Sequence, residues 1–403
     1  MMLTGKTVVL GVTGSIAAYK AADLASALVR ENCDVHVIMT KNATNFINPI
    51  TFETLTSNKC LVDTFDRDFE FDVKHISLAK KADMFMIAPA TANVIGKIAS
   101  GIADDMLTTT VMATKAPVYF APAMNTNMYN NPIVRDNIRR LSELGYHFID
   151  AVSGHLACGD TGEGKLPPVE LILEYIFREI AFKKDMTGMK VLVTAGPTQE
   201  PIDPVRYITN HSSGKMGYAI ARAASFRGAD VTLVSGLTAL DPLPFVENVS
   251  ILTAKDMFEE VVSRHKDMDM IIKAAAVADY RPAEVAADKI KKTEADSSSI
   301  ALARTDDILK HIGTNSEPHQ VICGFSMETK DMLENSTKKL NTKHVDMIAA
   351  NNLKMKDSGF AGDKNTLTLI TADGVEVLET MTKFQASVIL LDRLMKIYEE
   401  KNG

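Results

Sequence analysis

Two turns containing glycine and serine stand where a predicted strand or loop gives way to a helix, a position that can bind phosphate. The first is Thr13-Gly14-Ser15, after the apolar run Thr7–Val12, and the second is Ser212-Ser213-Gly214-Lys215. The first N–H groups of a helix lack intrahelical partners, so an anion is stabilised there. We predict a phosphate-binding loop at the first turn and a serine-capped helix N-terminus at the second. A tight turn without a ligand is the alternative for each.

Neither turn matches the two best-known glycine motifs. In the first turn Gly11 and Gly14 are wrongly spaced for the dinucleotide motif G-x-G-x-x-G. In the second turn Met216 stands where a P-loop requires Ser or Thr, and position 209 is not glycine.

Small and amide side chains follow two further predicted strands. Pro89-Ala90-Thr91-Ala92-Asn93 follows the strand at 84–88, and Pro122-Ala123-Met124-Asn125 follows the strand at 118–121. Both segments should lie at the carboxyl edge of a parallel sheet, where ligands bind. They could line a flat ring and hydrogen-bond its carbonyls or a substrate carboxylate. Loops in which Asn caps the next helix are the alternative.

One cysteine and one histidine are candidates for redox or acid–base chemistry. Cys158 lies in the glycine-dense segment 154–164, which is incompatible with a helix or core strand, so its thiol should be accessible. His75 begins a predicted helix, and a surface or capping role is its alternative. The other three cysteines are scattered without a C-x-x-C pair, so neither a disulfide framework nor a zinc site is indicated.

Charged residues in the second half could bind a nucleotide or an acyl group. Arg206 and Asn210 could bind an anion and an acyl oxygen, and Asp279 follows an alanine-rich strand end at the expected ligand edge. The lysines at 289–292 and 338–343 are otherwise typical of solvated surfaces, and Asp307 is typical of a helix N-cap.

These residues need a scaffold that brings strand ends together. Short apolar runs alternate with amphipathic helical stretches, the pattern of an open parallel sheet covered by helices on both faces. The predicted strands are 7–12, 35–39, 84–88, 118–121, 146–149, 190–194 and 231–235, and the predicted helices are 17–31, 169–180 and 216–227. Residues 281–299 are expected to form a mobile loop, and Ala372-Asp373-Gly374 indicates a hairpin.

The predicted fold class is α/β, with two doubly wound Rossmann-like domains and a C-terminal antiparallel flap. The domains are placed at 1–181 and 189–403, with a linker at 182–188 that lacks periodicity. The net charge of −7 argues against nucleic acid or an anionic membrane as a partner. The chain lacks an apolar run of the ~20 residues that span a membrane, and we expect a cytoplasmic protein.

Residues 5–180 resemble the flavin-dependent cysteine decarboxylase family, which includes phosphopantothenoylcysteine and lantibiotic-peptide decarboxylases. The resemblance rests on His75, the motif Pro122-Ala123-Met124-Asn125-x-x-Met128 and the glycine-rich loop around Cys158. It implies bound FMN, with contacts from Gly14, Ser15, Ile16, Thr40, Thr91, Ala92 and Asn93.

The resemblance also implies a mechanism. A carboxylate beside a saturated carbon can leave as CO₂ once oxidation of the cysteinyl thiol to a thioaldehyde supplies an electron sink. His75 is then a base or polar anchor during oxidation, and Asn125 hydrogen-bonds the substrate carboxylate. Cys158 protonates the resulting enethiol as hydride returns from the cofactor.

Residues 190–400 resemble phosphopantothenoylcysteine synthetase. Four segments in order carry the resemblance: Thr194-Ala195-Gly196-Pro197-Thr198-x-Glu200-Pro201-Ile202-Asp203-x-Val205-Arg206, Asn210-x-Ser212-Ser213-Gly214-Lys215-Met216-Gly217, Ala274-Ala275-Ala276-Val277-Ala278-Asp279-Tyr280 and Lys289-Ile290-Lys291-Lys292. The resemblance implies that the phosphopantothenate carboxylate is activated as an acyl-nucleotide with loss of pyrophosphate, before the cysteine amine displaces the nucleotide.

The implied nucleotide is CTP. Its implied contacts are Ala275, Asp279, Lys289, Asp307, Ile308, Phe325, Lys339 and Lys343. Lys289 would neutralise phosphate charge together with Mg²⁺, which the nucleotide phosphates would mainly hold. Asn210 would polarise the acyl carbonyl, with Arg206 nearby.

The implied partners are small molecules: 4'-phosphopantothenate, cysteine and CTP. Decarboxylase trimers and ligase dimers are also implied, and together they would build a homo-oligomer, a dodecamer. Two alternatives stay open. A non-enzymatic flavoprotein subunit would be expected to lack Cys158, His75 or Asn125, and a fusion acting on a peptide C-terminal cysteine would require a groove.

Overall fold

The computed structural model divides the chain into two compact units, Met1–Lys183 and Lys184–Gly403. The residues that the structure describes are 1–65, 74–155, 159, 161–291, 299–328, 331–352 and 362–403.

The N-terminal domain alternates strands and helices. Its elements are β1 (Thr7–Val12), α1 (Tyr19–Arg30), β2 (Asp34–Met39), α2 (Pro49–Thr56), α3 (Lys74–Lys81), β3 (Met84–Ala90), α4 (Ala92–Ala99), α5 (Met106–Ala113), β4 (Val118–Pro122), α6 (Thr126–Tyr129), α7 (Pro132–Glu143), β5 (His147–Phe148), β6 (Val152–His155), β7 (Thr161–Lys165) and α8 (Val169–Ile176). The helix predicted at 17–31 begins instead with a 3₁₀ turn at Ile16–Ala18, and the helix predicted at 169–180 ends in a π turn at Phe177–Ala181.

The central sheet of this domain is parallel, with strand order β2-β1-β3-β4-β5 among the described residues. All of β1, β3 and β4 is buried, because helices cover both faces of a parallel sheet. The order reverses direction between β1 and β3. Loops after these two strands therefore diverge and leave a crevice at the carboxyl edge of the sheet.

The glycine-dense segment forms a hairpin outside this sheet. Strands β6 and β7 pair antiparallel with each other, which agrees with the prediction that the segment is neither helix nor core strand. Cys158, between these strands, lies outside the described residues.

The C-terminal domain repeats the alternation. Its elements are β8 (Lys190–Ala195), β9 (Gln199–Pro201), β10 (Tyr207–Thr209), α9 (Lys215–Phe226), β11 (Asp230–Ser235), β12 (Glu247–Ser250), α10 (Ala254–Arg264), β13 (Met270–Lys273), β14 (Tyr280–Pro282), β15 (Leu302–Arg304), α11 (Ile308–Thr314), β16 (Val321–Glu328), α12 (Met332–Lys343), β17 (Met347–Asn352), β18 (Lys364–Asn365), β19 (Leu367–Thr371), β20 (Gly374–Val377), β21 (Met381–Thr382) and α13 (Lys383–Asn402).

The main sheet of this domain has the order β12-β11-β8-β13-β16-β17-β19-β20. Its first six strands are parallel and follow the doubly wound order 3-2-1-4-5-6, which reverses between β8 and β13. The predicted antiparallel flap is confirmed, since β19 and β20 form a hairpin that pairs with β17 as the edge of this sheet.

Two segments differ from the sequence-based prediction. The predicted linker 182–188 is partly folded into the C-terminal domain, because Met186 is fully buried in that domain's core. Arg227 is 5% exposed and donates to the carboxylate of Asp185 at 2.9 and 2.6 Å. The predicted mobile loop at 281–299 begins in a strand, since β14 pairs antiparallel with β15.

None of the described helices has both the length and the apolar composition needed to cross a membrane.

Candidate active sites

Three loops meet at the carboxyl edge of the N-terminal sheet. The buried Thr13 hydroxyl, just after β1, donates to the Pro89 carbonyl at 2.7 Å and accepts the Thr91 N–H at 3.1 Å. The Thr40 N–H, after β2, donates to the Val12 carbonyl at 3.0 Å. These bonds bring together the loops that carry the residues predicted to contact FMN.

The loop after β1 is tightly packed and ends in a capped turn. A Cβ on Gly14 would lie 2.7 Å from the Cβ of Asn42, so only glycine fits this close approach. The Ser15 hydroxyl caps the 3₁₀ turn by accepting the Ala17 N–H at 3.2 Å. Ile16 is 60% exposed beside it, which leaves an apolar side chain at the mouth of the crevice.

The next loop positions Ala92 and Asn93 on the first turn of α4. Thr91 is the N-cap residue of that helix, so the alternative in which Asn93 caps it does not hold. The same alternative does hold for Asn125, whose side-chain oxygen accepts the Asn127 N–H at 2.8 Å at the start of α6. The cap directs the Asn125 oxygen toward the helix, so a substrate carboxylate would be bound through the amide nitrogen.

The hairpin of β6 and β7 packs on this same loop. The Met124 N–H donates to the Gly164 carbonyl at 2.9 Å. A Cβ on Gly164 would lie 2.4 Å from the Met124 carbonyl oxygen, so only glycine at this position allows the hairpin to approach the loop this closely. Strand β7 is therefore anchored beside Asn125.

The remaining catalytic candidates of this domain are less constrained. His75 lies half-buried on the first turn of α3, as predicted, and no described contact joins it to Asn125. The described cysteines are buried, and desolvation raises the pKa of the Cys33 and Cys60 thiols to about 12. Cys323 also has a raised pKa because it is buried. These three thiols are poor proton donors, unlike a thiol on an accessible loop.

The C-terminal domain contains a large cavity at its own strand-order reversal, with a volume of about 1100 Å³. Segments 210–217, 273–277, 279–280, 304–310 and 325–327 contribute to its wall, together with side chains of α12, β17, β18 and α13. Seven Lys and Arg side chains and three Asp side chains line it among the described residues. A cavity of this size with excess positive charge, in a chain of net charge −7, favours a polyanion.

One wall of the cavity is the N-terminus of α9. Gly214 is the N-cap residue with φ of 74°, a conformation that favours glycine, and its N–H donates to the Ser212 hydroxyl at 3.3 Å. The prediction of a serine N-cap is therefore wrong, although Ser212 does order the turn. This helix N-terminus faces the cavity, a position that suits phosphate.

The opposite wall is the loop after β13. The Thr194 hydroxyl accepts the Ala275 N–H at 3.1 Å, and the Thr198 hydroxyl accepts the Ala278 N–H at 3.1 Å. Asp279 lines the cavity with an exposed side chain, as predicted, and its carbonyl accepts the Thr305 N–H at 3.0 Å.

Asn210 lines the cavity but differs from its expected orientation. Its amide nitrogen donates to the Ala276 carbonyl at 3.2 Å and to the Val277 carbonyl at 3.1 Å. Both amide hydrogens are thus committed, and the side-chain oxygen is the group left for a ligand. Asn210 in this arrangement offers an acceptor, not the predicted donor to an acyl oxygen.

The far end of the cavity holds the other residues predicted to contact the nucleotide. Asp307 caps α11 by accepting the Lys310 N–H at 3.0 Å and pairs with Lys343. Desolvation tends to raise the pKa of Asp307, but the hydrogen bonds from Lys343 and the Lys310 N–H outweigh it and hold the pKa below its ordinary value. Lys339 donates to the Ser326 hydroxyl at 3.1 Å. Phe325, Ile308 and Ala275 complete this part of the lining.

Sequence reasoning missed the cation at the floor of the cavity. Lys273 ends β13 and is half-buried. Its side-chain ammonium makes no hydrogen bond or ion pair among the described residues, and it lines the cavity. Desolvation lowers its pKa, against the attraction of Asp307 and Asp279. A lysine at the end of an apolar run is typical of a strand boundary. The sequence therefore indicates a ligand position here only through the neighbouring Ala274-Ala275. Lys215 and Lys383 line the cavity as well.

Two predicted catalytic residues do not line this cavity among the described residues. Arg206 donates to the buried Asp203 carboxylate from Nε at 3.0 Å and to the Ile290 carbonyl at 3.0 Å. Lys289 is exposed on the adjoining loop. In the part of the chain that is described, no cluster of three or more His, Cys, Asp or Glu side chains could hold a metal ion.

Two doubly wound domains, one of them with a cationic cavity at its strand-order reversal, define a two-domain α/β protein. Residues 1–181 match the family model Flavoprotein, and residues 186–398 match the model for the DNA/pantothenate metabolism flavoprotein C-terminal domain. The N-terminal domain is therefore a flavoprotein domain.

Full-length relatives carry both domains. The chain is 43% identical over 403 residues to the coenzyme A biosynthesis bifunctional protein CoaBC of Bacillus subtilis (strain 168), covering 99% of each chain. It is 40% identical over 404 residues to the protein of that name in Escherichia coli (strain K12), covering 100% of each. A crystal structure of the C-terminal domain of such a protein is 42% identical and covers 53% of this chain and 98% of its own, with a TM-score of 0.46.

The chain belongs to the family of coenzyme A biosynthesis bifunctional proteins. It is a bifunctional enzyme that combines a decarboxylase with a ligase.

Proposed function

We propose that the C-terminal domain joins 4'-phosphopantothenate to cysteine at the expense of CTP, and that the N-terminal domain decarboxylates the product with FMN to give 4'-phosphopantetheine. The observation that carries the ligase half is the cationic cavity at the β8/β13 reversal. A triphosphate needs such charge, and the positive end of the α9 dipole lies beside it.

The first chemical step is formation of an acyl-cytidylate. A carboxylate oxygen of phosphopantothenate attacks the α-phosphorus of CTP, the bond to the bridging β-phosphate oxygen breaks, and pyrophosphate leaves. Lys215, Lys273 and Lys383 on the cavity wall offset the charge of the phosphates. Mg²⁺ held by the nucleotide phosphates would add Lewis-acid stabilisation. Lys289 would approach the phosphates from its loop, with Arg206 as its neighbour.

The nucleoside end of CTP is assigned to the far part of the cavity. Phe325 offers an aromatic face, and the ion pair of Asp307 with Lys343 and the bond of Lys339 to Ser326 hold polar groups around it. Asp279 and the backbone of Ala275 lie on the loop that closes this end.

The second step is attack of the cysteine amine on the acyl carbonyl. The amine loses a proton, the amide bond forms, and CMP leaves. The Asn210 side-chain oxygen, fixed by the two amide hydrogens that donate to backbone carbonyls, accepts a hydrogen bond from the incoming amine and orients it. This role replaces the donor role expected from the sequence.

The N-terminal crevice fits FMN on two observations. The Thr40 hydroxyl is buried and has no hydrogen-bond partner among the described residues. Gly14 lets the loop after β1 pack directly against Asn42, close to Thr40. Ser15, Ile16, Thr91, Ala92 and Asn93 surround these two residues in the joined loops. Bound FMN supplies the two-electron redox chemistry that makes the decarboxylation possible.

Three residues of the N-terminal domain are proposed to act on the substrate. The Asn125 amide nitrogen binds the carboxylate that leaves as CO₂. Cys158, which lies in sequence between the two strands of the hairpin docked on this loop, is the proton donor. His75 is proposed as a base or polar anchor for the cysteinyl thiol.

We also propose a homo-oligomeric assembly, a dodecamer of decarboxylase trimers and ligase dimers, in the cytoplasm. An exposed apolar face supports the ligase dimer: Val205, Tyr207, Tyr280 and Leu302 are 58, 51, 47 and 51% exposed. They lie on or beside two short antiparallel ribbons in which β14 packs against β9. Such a face is typical of an interaction surface.

The test of the proposed function is to mix the protein with phosphopantothenate, cysteine, Mg²⁺ and either CTP or ATP and to identify products by mass. Phosphopantetheine, CO₂ and pyrophosphate with CTP are expected. Failure with both nucleotides, from folded flavin-loaded protein, would contradict the substrate assignment.

Asn210→Asp separates the two ligase steps. The carboxylate would face two backbone carbonyls and lose both anchoring hydrogen bonds, so amine attack should slow by roughly a hundredfold. Pyrophosphate release should persist, and acyl-cytidylate should accumulate by mass. Loss of pyrophosphate release instead would show that Asn210 serves activation.

A further inference from the structure

A buried carboxylate at the tip of a hairpin holds the loop that carries Lys289. Asp203 lies in the turn between β9 and β10, and its side chain is 0% exposed. Its Oδ1 accepts the N–H groups of Val205 and Arg206 at 2.9 Å each. These bonds close the turn locally and fix the direction of the carboxylate.

The other oxygen reaches a loop far away in sequence. Asp203 Oδ2 accepts the Ile290 N–H at 3.1 Å and the Arg206 Nε–H at 3.0 Å, and it also pairs with Arg206 Nη2. Arg206 Nη2 in turn donates to the Ile290 carbonyl at 3.0 Å. Both backbone polar groups of Ile290 are therefore held by one charged pair.

This arrangement differs from an ordinary surface ion pair. A buried charge is tolerated only when its lone pairs are satisfied, and every donor around Asp203 comes from its own turn or from Ile290. The same turn binds the loop at a second point, since the Ala286 N–H donates to the Ile202 carbonyl at 3.0 Å. The Arg206 hydrogen bond and the backbone N–H groups hold the pKa of Asp203 well below its usual range.

We propose that Asp203, acting with Arg206, is a positioning residue for the ligase: it fixes the backbone at Ile290 so that Lys289 leaves the loop in the direction needed for the phosphates. The inference rests on the proposed function of Lys289. Arg206, which the sequence suggested as an anion-binding residue, acts through the loop. Fixing the backbone beforehand leaves only the rotamers of the Lys289 side chain to be ordered at the moment of reaction.

The first readout of this role is the order of the loop itself. Asp203→Asn in the full-length enzyme removes the charge and weakens the bonds to Arg206 and Ile290. Trypsin should then cleave after Lys289 and Lys291 roughly tenfold faster, because local opening exposes the backbone. Asp288→Asn removes an exposed charge from the same loop and should leave cleavage after Lys291 unchanged.

The second readout is coupling to Lys289 in pyrophosphate release. Asp203→Asn should lower kcat by roughly a hundredfold, with a smaller change in the KM for CTP. Lys289→Gln should also be impaired, and Asp203→Asn added to Lys289→Gln should cause little further loss, because the two residues act as one unit.

A second pair of variants covers the case in which Asp203→Asn does not fold. Ile290→Pro removes the N–H that Asp203 accepts, whereas Ile290→Ala keeps both backbone groups. Ile290→Pro should increase cleavage after Lys291 and slow pyrophosphate release, and Ile290→Ala should do neither.

The outcomes separate this inference from the proposed function. If Lys289→Gln releases pyrophosphate at the normal rate, the role of Lys289 and this inference fall together. Two outcomes would overturn this inference alone, provided that Lys289→Gln is impaired. In the first, Asp203→Asn leaves tryptic cleavage unchanged. In the second, Asp203→Asn slows pyrophosphate release by the Lys289→Gln enzyme as much as it slows release by the wild type.

Discussion

In both domains a threonine hydroxyl connects two loops at the ligand edge of the sheet by a hydrogen bond. In the N-terminal domain the hydroxyl of Thr13, after the first strand, accepts the Thr91 N–H from the loop after β3. In the C-terminal domain the hydroxyl of Thr194, near the end of β8, accepts the Ala275 N–H from the loop after β13. In each case the bond spans the pair of strands where the strand order reverses, so a threonine holds the crevice to a defined width.

The lining of the two crevices differs. The residues assigned to FMN are uncharged, whereas the cavity of the C-terminal domain has seven Lys and Arg side chains among the described residues. A resident cofactor with one phosphate can be held by hydrogen bonds and a helix end. A triphosphate that must bind, react and leave as pyrophosphate needs mobile countercharge. The common fold sets the place of the ligand, and the side chains set its charge.

The largest expected effect tests whether the two crevices work independently. Cys158→Ser should still consume the ligated substrate and release CO₂ but stall at the enethiol, because a serine hydroxyl is a much weaker acid than a thiol. Formation of phosphopantetheine should fall by at least about a hundredfold. Pyrophosphate release by the C-terminal domain should stay normal.

Mass analysis of the products from one reaction reports both halves of that experiment. Normal phosphopantetheine formation by Cys158→Ser would remove Cys158 from its role. A simultaneous loss of pyrophosphate release would show that the two domains are coupled.

The second prediction tests the charge difference. Lys273→Met should raise the KM for CTP by roughly tenfold, because the unpaired ammonium at the cavity floor is a charge-assisted donor to the ligand. Flavin binding to the N-terminal domain should not change. Lys266→Met, at an exposed lysine of the same domain, is the matched control. An unchanged KM in Lys273→Met would show that Lys273 serves only to end β13.

The pH dependence sharpens the same prediction. Burial lowers the pKa of Lys273 below its ordinary value, and the charged form is the one that attracts phosphate. Affinity for CTP should therefore fall as the pH rises through this lowered pKa, and the fall should be absent in Lys273→Met. Because the folded-state pKa lies below the unfolded one, the ammonium destabilises the ligand-free domain at neutral pH. The variant should thus unfold at the same denaturant concentration or a higher one.

The smallest expected effect is the difference in unfolding free energy between removing the Thr13 hydrogen bonds and removing the Thr194 hydrogen bond. Thr13→Val removes two buried hydrogen bonds, to Pro89 and Thr91, and should cost about 2 kcal/mol of unfolding free energy. Thr194→Val removes the acceptor for the Ala275 N–H and should cost about 1 kcal/mol. Denaturant unfolding followed separately by flavin fluorescence and by CTP protection measures each domain. Equal losses, or a larger loss for Thr194→Val, would contradict the comparison.

Much of the scaffold could be predicted because its signals are local. The strand at Thr7–Val12 and the hairpin around Ala372-Asp373-Gly374 follow directly from apolar runs and turn residues. Boundaries were less accurate where tertiary packing decides, as in the linker, where Met186 joins a core that the local sequence does not show.

The candidate sites were predicted less completely because side-chain partners are long-range. The sequence indicated Asn210, but the two carbonyls that orient its amide lie 66 and 67 residues away. The sequence indicates Arg206 as an anion-binding residue because nothing local marks Asp203 as its buried partner. Lys273 carried no motif of its own, and its importance follows from the cavity around it.

The helix α13 has a consequence for how the protein is made. The helix begins at Lys383 after a capping box formed by Thr382 and Gln385. Lys383 lines the cationic cavity, and Leu390 and Leu394 are buried in the core of the domain. Domains fold as units while the chain emerges from the ribosome. The N-terminal compact unit ends at Lys183, but the cationic cavity closes only after residues 383–402 are synthesised. A nascent chain of this family therefore acquires its decarboxylase fold some two hundred residues before its ligase fold.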